Sequence, residues 1–323
     1  MRLQVLTTVV VGLLVAAPWP AVAQQVARIG ILSPTRCADA WVDAFRQGLR
    51  DLGLVEGSNT ELICVEAEGD VDRLPMLASE LVGLKVDVLV SIWGTAAALA
   101  AKKATPSIPI VAAAMGDPVA AGIVESLAKP GRNITGISSL AHTLEVKRLE
   151  LIKELKPTIQ RVAVLWDPDN PYSSLATRTI QGAADLLGVR IVRHRVAKPT
   201  DLDEAFKAIA ADLPDALLAP SYLVVVAQRD RIAAFAAERR LPACFSQEEF
   251  VRAGGLMSYG IDYPALYARA AGYVDKILKG AKPARLPVEQ PTKFRLTINL
   301  SAAKSLGLTI PPGVLLRADE VIE

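Results

Sequence analysis

The sequence predicts an α/β protein of two doubly wound parallel-sheet lobes with a cleft between them. Three observations lead there. From residue 26 onward, short β-rich runs alternate with longer stretches of helical periodicity, which is the pattern of repeated βαβ units. The strand-like runs are strongly apolar, with no clean polar alternation, as strands buried on both faces of a parallel sheet are. The pattern completes one unit by residue 138 and restarts at 161 with RVAVLW, so a chain too long for one core divides into two similar lobes.

Each element has its own signal. Residues 1–23 read as a secretory signal peptide: one basic residue (Arg2), an apolar run over about 5–17, and the small-residue site Ala21-Val22-Ala23. That run is shorter than the ~18 residues a membrane-spanning helix needs, so cleavage and export are expected. The first lobe takes strands at 26–32 (VARIGIL), 60–66, 86–93, 107–114 and 133–138, with helices over 41–53, 72–84, 95–104 and 120–129. Trp41, Phe45, Leu49 and Leu52 form the apolar stripe of its first helix. The second lobe takes strands at 161–166, 189–196, 215–220, 241–245 and 254–260, with helices over 171–187, 200–211, 222–239 and 247–252. A further helix over 263–280 ends at Gly280, and a Pro-rich extended segment, a short helix at 301–308 and a tail follow. So much chain beyond the second unit implies several crossings between the lobes, and therefore a hinge.

Composition narrows the functional classes. Lys and Arg number 36 against 34 Asp and Glu, and near-neutral charge argues against a nucleic-acid partner, which requires a concentrated basic patch. The two histidines, His142 and His194, lie far apart, outside any metal-ligand spacing, so no metal site is expected. No G-x-S-x-G elbow, phosphate loop, G-x-G-x-x-G or H-E-x-x-H occurs; no catalytic set, enzyme activity or cofactor is expected, and both histidines read as solvated surface residues. Of the three cysteines, Cys37 follows the first strand and Cys64 ends the second. Neighbouring strands bring those ends together, so this pair is expected to form a disulfide, leaving Cys244 free and buried in the other lobe.

In parallel α/β sheets ligands bind beyond the C-terminal ends of the strands, where loops enter helices. Those ends hold Ser33, Trp93-Gly94-Thr95 and Gly116-Asp117-Pro118 in the first lobe, and Trp166-Asp167, Asn170, Ser221-Tyr222 and Ser246-Gln247-Glu248 in the second. Gly94-Thr95 suits a helix start whose free N–H groups hold a carboxylate, although Thr95 also fits a plain N-cap. Asp117 poses the same choice: it starts a helix with Pro118 at the first position, or it holds a ligand group. Trp93 and Trp166, one on each lobe, suit a clamp on a planar group or serve as core aromatics; Tyr172 and Tyr222 are weaker candidates of the same kind. Asp167, Asp169, Glu248 and Glu249 suit an ammonium group or a helix cap.

The strings IPIVAAAMGDPVAAGIVESLAKPGRNITGIS, AGGLMSYGIDYPALYARAAGYVDKILKGAKPARLPVEQPTKF and RADEVIE resemble the ABC-type substrate-binding proteins of the family that includes tryptophan- and other aromatic amino-acid-binding members, over essentially the whole mature chain. The resemblance implies a type I periplasmic-binding-protein fold with three hinge crossings, near 138–142, near 259–262 and within 283–293. Lobe 1 is then 24–139 plus 260–285, and lobe 2 is 140–259 plus 286–323. It places Gly94, Thr95, Asp117, Asn170, Ser173, Ser221, Glu248 and Ser258 at cleft-facing positions. The implied role is a periplasmic receptor, monomeric, that binds a small molecule, amino-acid-like or an aromatic carboxylate, and delivers it to an inner-membrane ABC permease and its ATPase. A signalling receptor and an enzyme using the same cleft are the alternatives. Two positions depart from the family: Ala96 stands where Pro is frequent and Asp167 where Asn is, which puts an acid in place of an amide.

Overall fold

The structure, a computed structural model, describes residues 26–139 and 141–323; the signal peptide expected at 1–23 lies outside the described residues. The first apolar runs become β1 (Ala27–Ser33), β2 (Thr60–Glu66), β3 (Val88–Ser91), β4 (Ile110–Met115) and β5 (Ile134–Ser138), a parallel sheet in the order β2-β1-β3-β4-β5. Helices α1 (Ala40–Asp51), α2 (Leu74–Gly83) and α3 (Thr95–Ala104) follow β1, β2 and β3. Alternate strand residues point to opposite faces: Ile29, Ile31, Val88 and Val90 pack toward α1, while Leu32, Leu89 and Ala112 pack toward α2 and α3. Burial on both faces explains why these strands show no polar alternation.

The second sheet follows α4 (Leu144–Leu155). Its chain order is β6 (Arg161–Trp166), α5 (Pro171–Leu187), β7 (Arg190–Arg195), α6 (Leu202–Asp212), β8 (Ala216–Leu218), α7 (Leu223–Ala227), α8 (Arg229–Glu238), β9 (Ala243–Phe245), α9 (Glu248–Arg252) and β10 (Met257–Ile261). Then come α10 (Tyr263–Leu278), β11 (Phe294–Asn299), α11 (Leu300–Ser305), α12 (Pro312–Leu315) and β12 (Glu320–Ile322). The sheet order is β12-β11-β10-β9-β8-β6-β7, with β10 and β11 antiparallel and the other pairs parallel. Among the described residues no helix is long and apolar enough to cross a membrane.

The chain passes between the sheets three times. It leaves β5 for α4, leaves β10 for α10, which packs along α1, and returns through residues 289–294 into β11. Before that last passage Val288 sits in the first lobe's core and Glu289 bridges Ile137. Residues 286–289, assigned on the sequence to lobe 2, therefore pack on lobe 1.

Four sequence expectations differ from the structure. The helix expected at 120–129 is a single turn: Gly122 takes φ 65°, a left-handed conformation that ends it, and Ile123 and Val124 fold back into the core. The helix expected over 222–239 is interrupted at Gln228 into α7 and α8. Helix α4 was not anticipated, because its buried stripe includes Glu145 and Arg148, 0% and 1% exposed, and so reads as polar. Both histidines are buried rather than solvated, His142 at 8% and His194 at 6%.

Cys37 and Cys64 form the expected disulfide, with Cα atoms 6.2 Å apart, and Cys244 is free and buried, its thiol pushed up to about 12 by burial. The bridge closes a span of 27 residues. Replacing both Cys37 and Cys64 with Ser should lower unfolding stability by roughly 3 kcal/mol. Urea unfolding of the variant beside the oxidised parent measures it; a loss under about 1 kcal/mol would show that the denatured chain is not constrained by the bridge.

Candidate functional site

The strand ends of both lobes face one cavity of about 200 Å³. Its first-lobe wall begins at the turn from β3 into α3, where Trp93 and Gly94 take φ values of 60° and 91°. Positive φ is strained for a Trp, and two hydrogen bonds hold the region: Trp93 N–H donates to the Tyr267 hydroxyl at 2.9 Å, and Gly116 N–H donates to Thr95 Oγ1 at 3.2 Å. Thr95 thus ties two strand-end loops together. Gly94 precedes α3 without any side-chain cap, so the first-turn N–H groups, at the positive end of the helix dipole, open on the cavity.

Aromatic rings form much of the remaining wall. Trp41 of α1 stacks on Trp93 at 4.2 Å between centroids and on Tyr263 at 4.4 Å, with Tyr267 tilted at 5.6 Å. The second lobe brings Asn170, Tyr172, Ser221, Tyr222 and Leu223. Several polar groups on this surface are hydrogen-bonded within the protein. Tyr172 donates to Glu145 Oε1 at 3.3 Å, Tyr222 to the Val196 carbonyl at 2.9 Å, and Ser139 to the Met115 carbonyl at 2.8 Å. Gln247 Nε2 donates to Ser221 Oγ at 3.2 Å, and the Tyr263 hydroxyl lies near Ser221. Burial, with Glu145 beside it, holds the Tyr172 hydroxyl well above its ordinary pKa, and burial pushes Tyr263 up to about 12. The wall is therefore uncharged at neutral pH.

Behind Tyr172 lies a buried ion pair. Glu145 and Arg148 bond one turn apart on α4, and Arg148 Nε donates to the Tyr259 carbonyl of β10 at 2.7 Å. Burial works against the guanidinium charge, but Glu145, Tyr172 and Cys244 together outweigh it and raise the Arg148 pKa further. On the far side of Trp41 lies the Glu249 carboxylate, whose pKa burial raises and the nearby indole partly draws back down.

Of the residues proposed from the sequence, Trp93, Gly94, Thr95, Asn170 and Ser221 line this cavity. Ser33 is fully buried and accepts from its neighbour Thr35 N–H at 3.2 Å. Trp166 turns toward β7, with the Arg193 guanidinium 5.8 Å over its ring, so no Trp93–Trp166 clamp forms. Asp167 and Ser173 lock the loop before α5: Asp167 N–H donates to Ser173 Oγ at 2.9 Å, and Asp167 Oδ1 accepts from Asp169 N–H at 3.0 Å. Glu248 and Ser258 line a separate polar cavity of about 30 Å³, where Glu248 pairs with Arg295 at 3.5 Å.

Asp117 is a cap. Its Oδ1 accepts from Val119 N–H at 3.1 Å and Ala120 N–H at 3.0 Å, and it is not part of the cavity wall. Asp117→Ala should cost about 1 kcal/mol of stability and leave ligand affinity unchanged; an affinity loss by calorimetry without a stability loss would reverse that assignment.

Trp41, Tyr263 and Tyr267 were missed because helical periodicity assigns them to the core. Tyr263 had a usable signal, since it directly follows the C-terminal end of β10. Neither histidine reaches the wall, which among the described residues contains no carboxylate, imidazole, ammonium, guanidinium or thiol. Burial lowers the pKa of His142, with nearby Asp117 partly offsetting it.

Known proteins share this architecture. The chain is 29% identical over 265 residues, 82% of this chain and 75% of the other, to a tyrosine-binding protein of Clostridioides difficile (strain R20291). It superposes on the structure of an ABC domain from Streptococcus pneumonia in complex with L-Trp with a TM-score of 0.85 and 28% identity, covering 92% of this chain and 99% of that one. On the ligand-free, open structure of a substrate binding protein with adhesive properties from Clostridium difficile the TM-score is 0.69 at 26% identity, over 92% and 99% of the two chains. The sequence pattern described as ABC transporter substrate binding protein matches residues 27–322. The chain belongs to that family of ABC transporter substrate binding proteins and has its type I periplasmic binding fold, with the aromatic cavity lying between the two lobes.

Proposed function

We propose that the chain is an exported, periplasmic receptor of an ABC importer. It closes two lobes around a small organic solute bearing an aromatic group and a carboxylate, and as a monomer delivers it to an inner-membrane permease and its ATPase. The observation that carries this reading is the cavity itself: an aromatic wall from α1, α10 and the β3 turn faces a second-lobe wall, with the uncapped start of α3 opening on the same space. Stacked rings suit a planar apolar body, and a helix N-terminus suits an anionic end. The better superposition on the L-Trp complex than on the open relative supports lobes that are closed here. Closure sequesters the solute, and reopening at the permease releases it.

Thermal shift of the mature chain against amino acids, aromatic acids, sugars and polyols tests the reading. A ligand that binds only the folded state stabilises it by about 2.7 kcal/mol at a hundredfold excess over Kd. Aromatic carboxylates or aromatic amino acids should raise the midpoint. A response confined to sugars or polyols would sink the ligand class, and unchanged solute uptake on deleting the gene would sink the importer role.

A further inference from the structure

We infer that the cavity selects aromatic carboxylates that lack an α-ammonium group, over the corresponding amino acids. This rests on the proposed reading of the site and narrows it. A zwitterionic amino acid carries two charges into the cleft, and an ionised group removed from water requires an opposite charge or a full set of hydrogen bonds. The wall has an answer for only one of them.

For the carboxylate there are donors. The first N–H groups of α3 have no side-chain cap. Asn170 uses its Oδ1 to cap α5, accepting from Ser173 N–H at 3.0 Å, which leaves its amide NH2 as the group available to a ligand.

For an ammonium there is no counterpart. No acid is present among the wall residues, and the acids next to them are committed elsewhere: Asp167, near Tyr222, accepts from Asp169 N–H, and Asp39, near Tyr267, caps α1. Glu145, behind Tyr172, is neutralised by Arg148. Glu249 lies behind the Trp41 indole. Asp117, beside Gly116, caps its own turn. Nor is Trp41 open as a cation–π face, because Trp93 and Tyr263 both stack on it. The wall hydroxyls of Ser139, Tyr172 and Tyr222 donate to protein acceptors; their oxygens can still accept, but they carry no charge to compensate an ammonium.

The test uses matched pairs that differ only in the amino group. These are L-tryptophan with 3-(indol-3-yl)propionate, L-tyrosine with 3-(4-hydroxyphenyl)propionate, and L-phenylalanine with 3-phenylpropionate. Each is titrated calorimetrically at neutral pH into the mature chain, refolded to remove any carried-over solute. In the best-binding pair the acid without the amino group should bind about tenfold tighter or more, the consequence of one unpaired buried charge. An amino acid binding as tightly as its partner, or more tightly, overturns the inference while leaving the proposed aromatic receptor intact. No binding by either member of any pair overturns both. Leu223→Asp supplies a check on cause: it adds a carboxylate to the wall at the first position of α7, where a helix start tolerates an acid. The preference should shift back toward the amino acid in that variant, and an unchanged ratio would show that missing charge is not what discriminates.

Discussion

Arg148→Met is expected to lower stability by about 3–5 kcal/mol, because it strands a carboxylate inside the protein. Glu145 is fully buried, and its Oε2 has no hydrogen-bond partner even with Arg148 in place. Removing the guanidinium leaves that charge uncompensated and also frees the Tyr259 carbonyl that Arg148 Nε engages. The double variant Glu145→Leu/Arg148→Met should recover a large part of the loss, since replacing both partners with apolar side chains removes the stranded charge. Urea unfolding of the single and double variants decides the matter. If the double variant is no more stable than Arg148→Met alone, the orphaned carbonyl, not the carboxylate, sets the cost. The pair also has a place in closure. Helix α4 follows the first passage between lobes and Tyr259 precedes the second, so Arg148 fastens two strands of the hinge, while Tyr172 carries the network to the cavity wall. Ligand affinity should fall in the single variant even under conditions where it remains folded.

The fold was legible because its signals are collective. Burial of β3 and β4 on both faces shows as nearly unbroken apolar runs, and such runs alternating with periodic helices leave few topologies. Elements whose burial relies on paired charge are hidden from that logic. Helix α4 buries Glu145 and Arg148 beside Leu149 and Ile152, so its inward stripe looks like a solvated face until the pairing is seen. The helix expected after Asp117 failed for a local reason, since composition favoured it but one glycine in the left-handed region sufficed to stop it.

The site was legible where it follows the strand-end rule and opaque where it does not. Trp93, Gly94, Thr95, Asn170 and Ser221 all sit on loops after strands, and these five line the cavity. Ser33 ends β1, Asp167 follows β6 and Ser173 lies in the first turn of α5, but hydrogen bonds of 2.9 to 3.2 Å draw their side chains onto the local backbone. Position in sequence sets which loop a residue occupies, not which way its side chain turns. Trp41 marks the converse case. It lies on a helix with core spacing, yet the second lobe meets it across the cleft.

Trp41→Ala should reduce affinity for an aromatic ligand by at least about a hundredfold, with a smaller loss of fold stability than a core Trp truncation of 3–5 kcal/mol would give. The difference is expected because Trp41 acts on both sides of closure. It is 4% exposed, it sets the positions of Trp93 and Tyr263 by stacking between them, and its indole joins the lobes through Glu249. Opening the cleft removes the last contact but keeps the stack with Trp93. Trp41→Phe separates the parts: the ring remains, the N–H is lost, and an intermediate affinity should result. Glu249 adds a pH signature. Burial raises its pKa above the ordinary 4.5, with the Trp41 indole partly offsetting it, so protonation favours the closed arrangement over an open one in which the carboxylate is solvated. The contribution is fully present below 4.5 and is lost as pH rises through the raised value. Affinity should therefore be higher at pH 5 than at pH 7, with the ligand carboxylate mostly ionised at both, and Glu249→Gln should flatten the profile. Calorimetry of the parent, Trp41→Phe and Glu249→Gln at the two pH values tests the scheme; a pH dependence that survives Glu249→Gln would place the titrating group elsewhere.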